Sequence, residues 1–240
     1  MKKDLTWKVR GTGIALMGLT AVFTVLGGVG TVCVAWGAEK WKPFAVLVPY
    51  KPIYQWAAVI TLIAGVAGII VTYALLRGER WSYVGALFIL LVGFGTAAVK
   101  MYYSNMLRGS TAPTNFRAYV TVLTLVVFLL MRLPWFWNRT DFTSPPTRFG
   151  SWATPAGMSL FTGGLVALLT PVWVGPTHVV DGVNLVNVIR VPLLVGGVTM
   201  AATGAVLLVL AGFGRPLSLA RSARSRVAGA ASAAARGTRP

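Results

Sequence analysis

Residues 53–99 read IYQWAAVITLIAGVAGIIVTYALL, then RGER, then WSYVGALFILLVGFGTAAV, and this stretch decides the fold. Its two apolar runs, 53–76 and 81–99, carry no charged residue. Each run is close to the roughly 20 residues that an α-helix needs to cross a bilayer. The polar link 77–80 contains Gly78, a residue that suits a tight turn. The stretch therefore predicts two antiparallel transmembrane helices joined as a hairpin.

Four further apolar runs extend this pattern on both sides of the hairpin. The sequence predicts six transmembrane helices in all, near residues 11–38, 53–76, 81–103, 116–137, 155–173 and 191–213. The first run is far longer than the apolar core of a signal peptide, which is roughly 7–15 residues, so we expect a retained helix. The predicted fold class is an all-α polytopic membrane bundle, with residues 1–214 as a single transmembrane domain.

The composition excludes most classes of soluble protein. Only 11% of the residues are charged and 56% are hydrophobic, whereas about 25% of the residues in a typical soluble domain are charged. The single cysteine and the single histidine exclude a disulfide framework and a metal centre that needs several such ligands from this chain. We therefore predict no metal and no cofactor.

The positive charge predicts an orientation. The chain has 22 lysines and arginines, five acids and a formal net charge of +17. If both termini lie in the cytoplasm, 15 of the 22 bases fall on the cytoplasmic side. The positive-inside rule predicts such an excess, and the tail supplies a large share of it. The tail, 215–240, is basic and free of acids, and we predict that it either adheres to anionic lipid or is simply disordered. No recognisable nucleic-acid-binding module accompanies it, so nucleic acid is not a predicted partner.

Small residues recur at helical spacing in several of the predicted spans. They are Ala64 and Gly68, Gly93 and Ala97, the stripe Gly197, Ala201 and Ala205, and the glycines 27, 28 and 30. In lipid, small residues let helix backbones approach closely, so the pattern predicts seams between helices of this chain or against partner subunits. The simpler interpretation is that glycine is common in membrane helices.

A cluster of cations, phenols and amides follows the third apolar run and forms the first candidate ligand-binding site. Its members are Lys100, Tyr102, Tyr103, Asn105, Arg108 and Arg117. Such donors suit an anionic lipid head group or a quinone head group at the membrane surface. The alternative is a collar of interfacial side chains without a specific ligand, because long cationic side chains near helix ends extend toward the head groups.

The second candidate site lies in the apolar connection 174–190. His178 and Asp181 are three residues apart there, and on a helical turn their side chains would share a face. A carboxylate beside an imidazole can fix its tautomer and raise its basicity. One histidine and one aspartate make an incomplete metal site, and the alternative is that both are ordinary loop residues.

The predicted spans contain no Asp, Glu or His, and no Arg at their centres, which argues against proton-coupled pumps, voltage sensors and carriers of charged substrates.

The sequence therefore favours a non-enzymatic accessory, assembly or scaffold subunit of a larger membrane complex, for example a respiratory or photosynthetic one. Its predicted partners are membrane lipids, including anionic head groups, and other membrane subunits, and its predicted location is the inner or plasma membrane of the cell. The alternative is a stand-alone carrier or binding protein for a lipid, a quinone or another hydrophobic molecule. A membrane enzyme that uses His178 is a third, weaker alternative.

Overall fold

A computed structural model of the chain describes residues 2–40, 42–109, 115–140, 142–143, 149–173, 179–180 and 182–212. The α-helices are α1 (Lys2–Gly37), α2 (Lys51–Arg77), α3 (Ser82–Arg108), α4 (Asn115–Met131), α5 (Pro134–Thr140), α6 (Phe149–Trp173) and α7 (Arg190–Gly212). Three 3-10 helices cover Ala38–Lys40, Lys42–Tyr50 and Leu185–Ile189. The strands β1 (Val179–Val180) and β2 (Val183–Asn184) pair antiparallel, with Val179 opposite Asn184. The tail 215–240 lies outside the described residues.

Five helices, α1, α2, α3, α6 and α7, are long and apolar enough to cross a membrane. The all-helical fold class predicted from the sequence is therefore confirmed, and the long apolar helices are those of a membrane protein. Helix α4 is apolar but has only 17 residues, about 26 Å at 1.5 Å per residue. The number of spans and the cytoplasmic position of the termini stay predictions.

The predicted fourth span, 116–137, is divided between two helices. Helix α4 ends at Met131 and α5 begins at Pro134. Proline lacks a backbone N–H and disfavours the α conformation of the residue before it, here Leu133. The amides of Arg132 and Leu133 accordingly donate to carbonyl groups three residues back, which closes a tight turn between the helices.

The α2–α3 link forms the compact turn that the sequence predicts. Gly78 has φ 79° and ends α2 in the left-handed conformation, with its N–H directed at the carbonyl groups of Ala74 and Leu75. Glycine adopts this conformation without the steric cost of a side chain. Ser82 then begins α3, and its hydroxyl group donates to the carbonyl of Glu79 at 2.7 Å. We call this end of the molecule the hairpin end.

Helix α1 is the centre of the packing. It contacts α2, α4 and α6, while α3 contacts α2 and α4, so that α1 to α4 form a ring of four helices. The segment Lys42–Tyr50 joins α1 to α2 at the opposite end, which we call the capped end, and this segment contacts both α2 and α3. Helix α6 contacts α1, and α7 packs against α6, since a Cβ on Gly164 would lie 2.6 Å from the carbonyl oxygen of Gly197.

Apolar clusters fill both ends of the four-helix ring. The hairpin-end cluster contains Ile14, Met17, Val71, Leu75, Tyr83, Ala86, Leu90, Phe128, Met131 and Phe142. The capped-end cluster contains Val34, Ala35, Ala38, Phe44, Leu47, Tyr54 and Ala58, with Tyr50, Tyr103 and Leu107 packed against it. Between these clusters the ring interior is polar, and the candidate site lies there.

The small-residue stripes have different environments. A Cβ atom on Gly68 would lie 3.0 Å from Ala21 of α1, and one on Gly197 would lie 3.1 Å from the carbonyl oxygen of Gly164 in α6. These two glycines are therefore in helix–helix seams within the chain. Gly30, by contrast, faces open space, with no described atom within 4 Å of a Cβ.

Candidate functional site

Lys100 is a buried cation in the interior of the four-helix ring. Its side chain is 2% exposed, and it lies eight residues before the end of α3, which is about 12 Å of helix. The Nζ atom donates to Thr31 Oγ1 of α1 at 3.1 Å and to Thr61 Oγ1 of α2 at 3.5 Å. The long side chain therefore points into the bundle rather than toward the membrane surface.

The threonine partners of Lys100 are arranged as acceptors. The hydroxyl of Thr31 donates to the carbonyl of Gly27 at 2.6 Å, and that of Thr61 donates to the carbonyl of Ala57 at 2.5 Å. A hydroxyl group has one hydrogen and two lone pairs. Because each hydrogen is used within its own helix, the lone pairs are free to face the ammonium group.

Arg117 is the second buried cation, and its guanidinium group lacks partners. The residue is 5% exposed, and its Nε, Nη1 and Nη2 atoms are buried without a hydrogen-bond partner in the described part of the chain. A guanidinium group carries five N–H donors and no acceptor. Leaving such donors unpaired away from water is costly, which makes this group the strongest sign of a missing ligand.

One turn of α1 brings the two cations together. Gly27 lies against Arg117, since a Cβ at position 27 would be 2.7 Å from Arg117 Cδ. Thr31, four residues further on the same face of α1, accepts from Lys100. We call Lys100 and Arg117 the cation pair.

No carboxylate accompanies the cation pair within the described residues. The acids of the chain are Asp4, Glu39, Glu79, Asp141 and Asp181. Glu39 forms an exposed ion pair with Lys51 at 2.7 Å, and Glu79 lies in the turn at the hairpin end. Asp4 lies in the first turn of α1, which starts at that same end. Asp141 and Asp181 lie outside the described residues.

Aromatic and hydroxyl side chains lie near the cation pair between α1 and α4. Phe23 of α1, which is buried, and Phe116 of α4, which is 51% exposed, form an edge-to-face pair with ring centroids 5.2 Å apart, next to Arg117 in sequence. Toward the hairpin end, Thr20 and Thr124 share a 2.7 Å hydrogen bond between α1 and α4. The cation pair thus lies inside the ring of helices, between the two end clusters.

The eight residues predicted as ligand-binding fall into four groups. Lys100 and Arg117 come together as the cation pair, and Tyr103 and Arg108 join the capped end. Tyr102 and Asn105 are exposed, and His178 and Asp181 lie outside the described residues. At the capped end, the ring of Tyr103 lies 5.2 Å from that of Tyr50. The Arg108 guanidinium lies over the Phe44 ring at 4.4 Å. The structure therefore buries two of the predicted residues, Lys100 and Arg117, and the ligand-binding role of all eight stays a prediction.

Sequence reasoning missed the threonines. Thr31 and Thr61 bind Lys100, and Thr61 also contacts the hydroxyl group of Thr96 at 3.2 Å. A signal existed in α1, where Thr20, Thr24 and Thr31 recur with Gly27 on one side of an otherwise apolar helix. Hydroxyl groups within membrane helices commonly bond the carbonyl one turn back, so this signal alone does not identify a site.

Comparison with protein-family models, with curated proteins and with solved structures found no match to this chain. The chemistry of the site is therefore the basis for a function. Two buried cations with unused donors and no described carboxylate can bind an anion. The planar fork of arginine matches two oxygen atoms of a carboxylate, phosphate or sulfate group, and lysine adds a compact positive charge.

Proposed function

We propose that this protein is a membrane protein that binds an anionic molecule at the cation pair, Lys100 and Arg117. The observation that carries the proposal is the Arg117 guanidinium, whose three nitrogen atoms are buried and unpaired in the described structure. This function belongs to the binding-protein class that the sequence offered as an alternative to a subunit role. It differs from that alternative in its ligand, an anion rather than a lipid, a quinone or another hydrophobic molecule, and in placing that ligand inside the helix ring.

The energetics of burial support an anionic occupant. Moving a charged group out of water costs several kcal/mol even after the protein relaxes. Lys100 offsets part of this cost through two hydroxyl acceptors, whereas Arg117 offsets none of it within the described residues. An anion between the two side chains would neutralise both charges and accept from the unused N–H groups.

The chemistry of the site supports binding rather than catalysis. Its described side chains supply positive charge and hydroxyl groups that are already bonded to helix carbonyls. Histidine is the most frequent general acid–base group, and the described part of the site holds none. Lys100, which could take that role, is instead held by two threonine hydroxyl groups. The weaker enzyme hypothesis depends on His178, which lies outside the described residues, and it stays a prediction.

The predicted role as an accessory subunit also stays a prediction. The outer faces of the bundle are apolar, with large exposed side chains such as Ile63 and Phe88. Lipid tails or a partner helix would cover such faces equally well. They therefore favour neither a subunit nor a stand-alone protein.

Thermal unfolding in defined lipid tests the proposal. The protein would be purified into nanodiscs of zwitterionic lipid, and its unfolding midpoint would be followed by tryptophan fluorescence during titration with sulfate at constant ionic strength. A ligand that binds only the folded state stabilises it by RT ln(1 + [L]/Kd). We expect a saturable rise in the midpoint for the native protein.

The variants Lys100→Met and Arg117→Met separate binding from general salt effects, because sulfate strengthens the burial of apolar surface in any protein. Each variant should weaken the apparent affinity for sulfate at least tenfold. Arg80→Gln, which changes an exposed cation at the hairpin end, serves as the matched control and should leave it unchanged. The same four proteins (native, Lys100→Met, Arg117→Met and Arg80→Gln) would also be compared in nanodiscs that contain an anionic lipid. Equal stabilisation of all four, both by sulfate and by the anionic lipid, would overturn the proposal.

A further inference from the structure

The two ends of the four-helix ring are closed in different ways. At the hairpin end, long helices pack directly on one another, and the Tyr83 hydroxyl of α3 donates to the Phe128 carbonyl of α4 at 2.6 Å. The rings of Tyr83 and Phe128 also stack, with centroids 5.7 Å apart. This closure is part of the main core of the bundle, so opening it would require separating helices.

The capped end is closed by a short segment instead. Lys42–Tyr50 is a nine-residue 3-10 helix, and runs of this length are uncommon because their hydrogen bonds have poorer geometry than those of an α-helix. Its described contacts with α3 include side-chain contacts, Phe44 with Arg108 and Tyr50 with Tyr103. Phe44 and Leu47 also anchor the segment in the capped-end cluster, at 7% and 1% exposed. Opening this end therefore requires moving one short segment and its two buried side chains, whereas opening the hairpin end requires separating long helices.

The charge at the capped end favours the approach of anions. Lys40 and Lys42 are exposed beside the segment, and Arg108 is half-buried against Phe44 at 4.4 Å. The one described acid at this end, Glu39, is already paired with Lys51. Surface potentials of one sign raise the local concentration of ions of the opposite sign and speed their association.

The walls of the site disfavour a lipid as the occupant. Both members of the cation pair are almost fully buried, and Thr61 and Thr121 beside them are 0% and 1% exposed. An acyl chain attached to a bound head group would have to leave between the helices. On the α1 side, the Arg117 side chain itself fills the space at Gly27, where a Cβ atom would lie 2.7 Å from its Cδ.

We infer that the ligand is a small, water-borne oxyanion of the sulfate or phosphate type, which reaches the cation pair from the capped end when the segment Lys42–Tyr50 moves aside. This inference rests on the proposed function and specifies its ligand class and its route of entry. The arginine fork and the lysine ammonium match an anion with several oxygen atoms, and the hairpin-end cluster prevents passage to the other side.

Labelling of introduced cysteines tests the route. In a Cys33→Ala background, Thr61→Cys places a thiol beside Lys100, Val46→Cys marks the capped end, and Glu79→Cys marks the hairpin end. The probe is a membrane-impermeant methanethiosulfonate that carries a sulfonate group, applied to sealed vesicles from one face at a time. We expect Thr61→Cys to react from the face that labels Val46→Cys, at a rate that sulfate lowers at least fivefold.

Two results would overturn the inferred route. Reaction of Thr61→Cys from the face that labels Glu79→Cys would indicate access through the hairpin end. Failure to react from either face would exclude entry from water, provided that the variant retains the native unfolding midpoint. The hydroxyl group of Thr96 lies 3.2 Å from that of Thr61. The variant Thr96→Cys therefore provides a second reporter if Thr61→Cys is unstable.

A lipid comparison separates failure of the inference from failure of the proposed function. Native protein and Arg117→Met would be titrated with sulfate, with inorganic phosphate and with nanodiscs that contain phosphatidic acid. Stabilisation by the free anions that depends on Arg117 supports the inference. If phosphatidic acid alone stabilises the protein, and this effect depends on Arg117, the inference is overturned but the proposed function still holds. If no effect depends on Arg117, both are overturned.

Discussion

Gly27 of α1 lies directly against Arg117 of α4, and a Cβ atom at position 27 would come within 2.7 Å of Arg117 Cδ. The absence of a side chain at this position therefore sets how deeply the arginine reaches into the bundle. One turn later on the same helix, Thr31 accepts a hydrogen bond from Lys100. The geometry of the cation pair thus depends on one turn of α1, together with Thr61 of α2, which also accepts from Lys100.

The variant Gly27→Ala should displace the Arg117 side chain and weaken anion binding. The added methyl group would force Cδ to move, and we expect about a tenfold loss of affinity for sulfate, or about 1.4 kcal/mol. Titration of the unfolding midpoint with sulfate measures the effect. Gly30→Ala is the matched control, because no described atom lies within 4 Å of its Cβ position. Equal affinities of the two variants would contradict the packing of Arg117 on Gly27.

The variant Arg117→Met should make the protein more stable when no anion is present. Methionine keeps most of the apolar contacts of the side chain and removes a buried charge that has no partner among the described residues, and the effective desolvation penalty of such a charge is several kcal/mol. The measurement is the unfolding midpoint in zwitterionic nanodiscs free of sulfate and phosphate.

Arg132→Met is the comparison for this prediction. Arg132 lies over the Trp137 ring at 4.3 Å, so its removal costs a cation–π contact of about 0.5–1 kcal/mol and should not raise the midpoint. A lower anion-free midpoint for Arg117→Met than for the native protein would mean that Arg117 has a stabilising partner, and the binding site would then need to be sought elsewhere.

The apolar runs predicted the long helices because twenty or so uncharged residues have few alternatives in a membrane. Gly78 marked the α2–α3 turn for an equally local reason, since the left-handed conformation there favours glycine. The division of the fourth span was also visible locally, at Pro134. Local chemistry thus accounts for the elements and for where they end.

The site could be predicted only in part. Lys100 and Arg117 stood out as polar residues next to apolar runs, but successive residues of a helix are rotated by about 100°. Lys100 and Tyr102 therefore point in different directions, and only the packing of α1 and α2 against α3 decides which one is buried. Tyr102 is 64% exposed. The pairing of Arg117 with Gly27 depends on contacts between distant parts of the chain, which no local pattern contains.

The variant Gly164→Ala should weaken the packing of α6 against α7. A Cβ at Gly164 would lie 2.6 Å from the carbonyl oxygen of Gly197, and overpacking of this kind typically costs about 1–3 kcal/mol. Thermal unfolding in nanodiscs should show a lower midpoint. Gly196→Ala, on the open side of α7, should leave the midpoint unchanged or raise it, since alanine favours helix by up to about 1 kcal/mol over glycine. A fall of equal size in both variants would contradict the proposed seam.

The variant Tyr83→Phe should weaken the closure at the hairpin end. In a continuing α-helix the amide of Arg132 would donate to the carbonyl of Phe128, but at the end of α4 it donates to the carbonyl of Leu129 instead. The Tyr83 hydroxyl group donates to the Phe128 carbonyl in its place, at 2.6 Å. Removing that hydroxyl leaves a buried acceptor unpaired, which costs about 1–3 kcal/mol. The unfolding midpoint should therefore fall, whereas Tyr102→Phe, at an exposed phenol, should leave it unchanged. If both variants unfold at the native midpoint, the Phe128 carbonyl has another partner and the hairpin end is held by apolar packing alone.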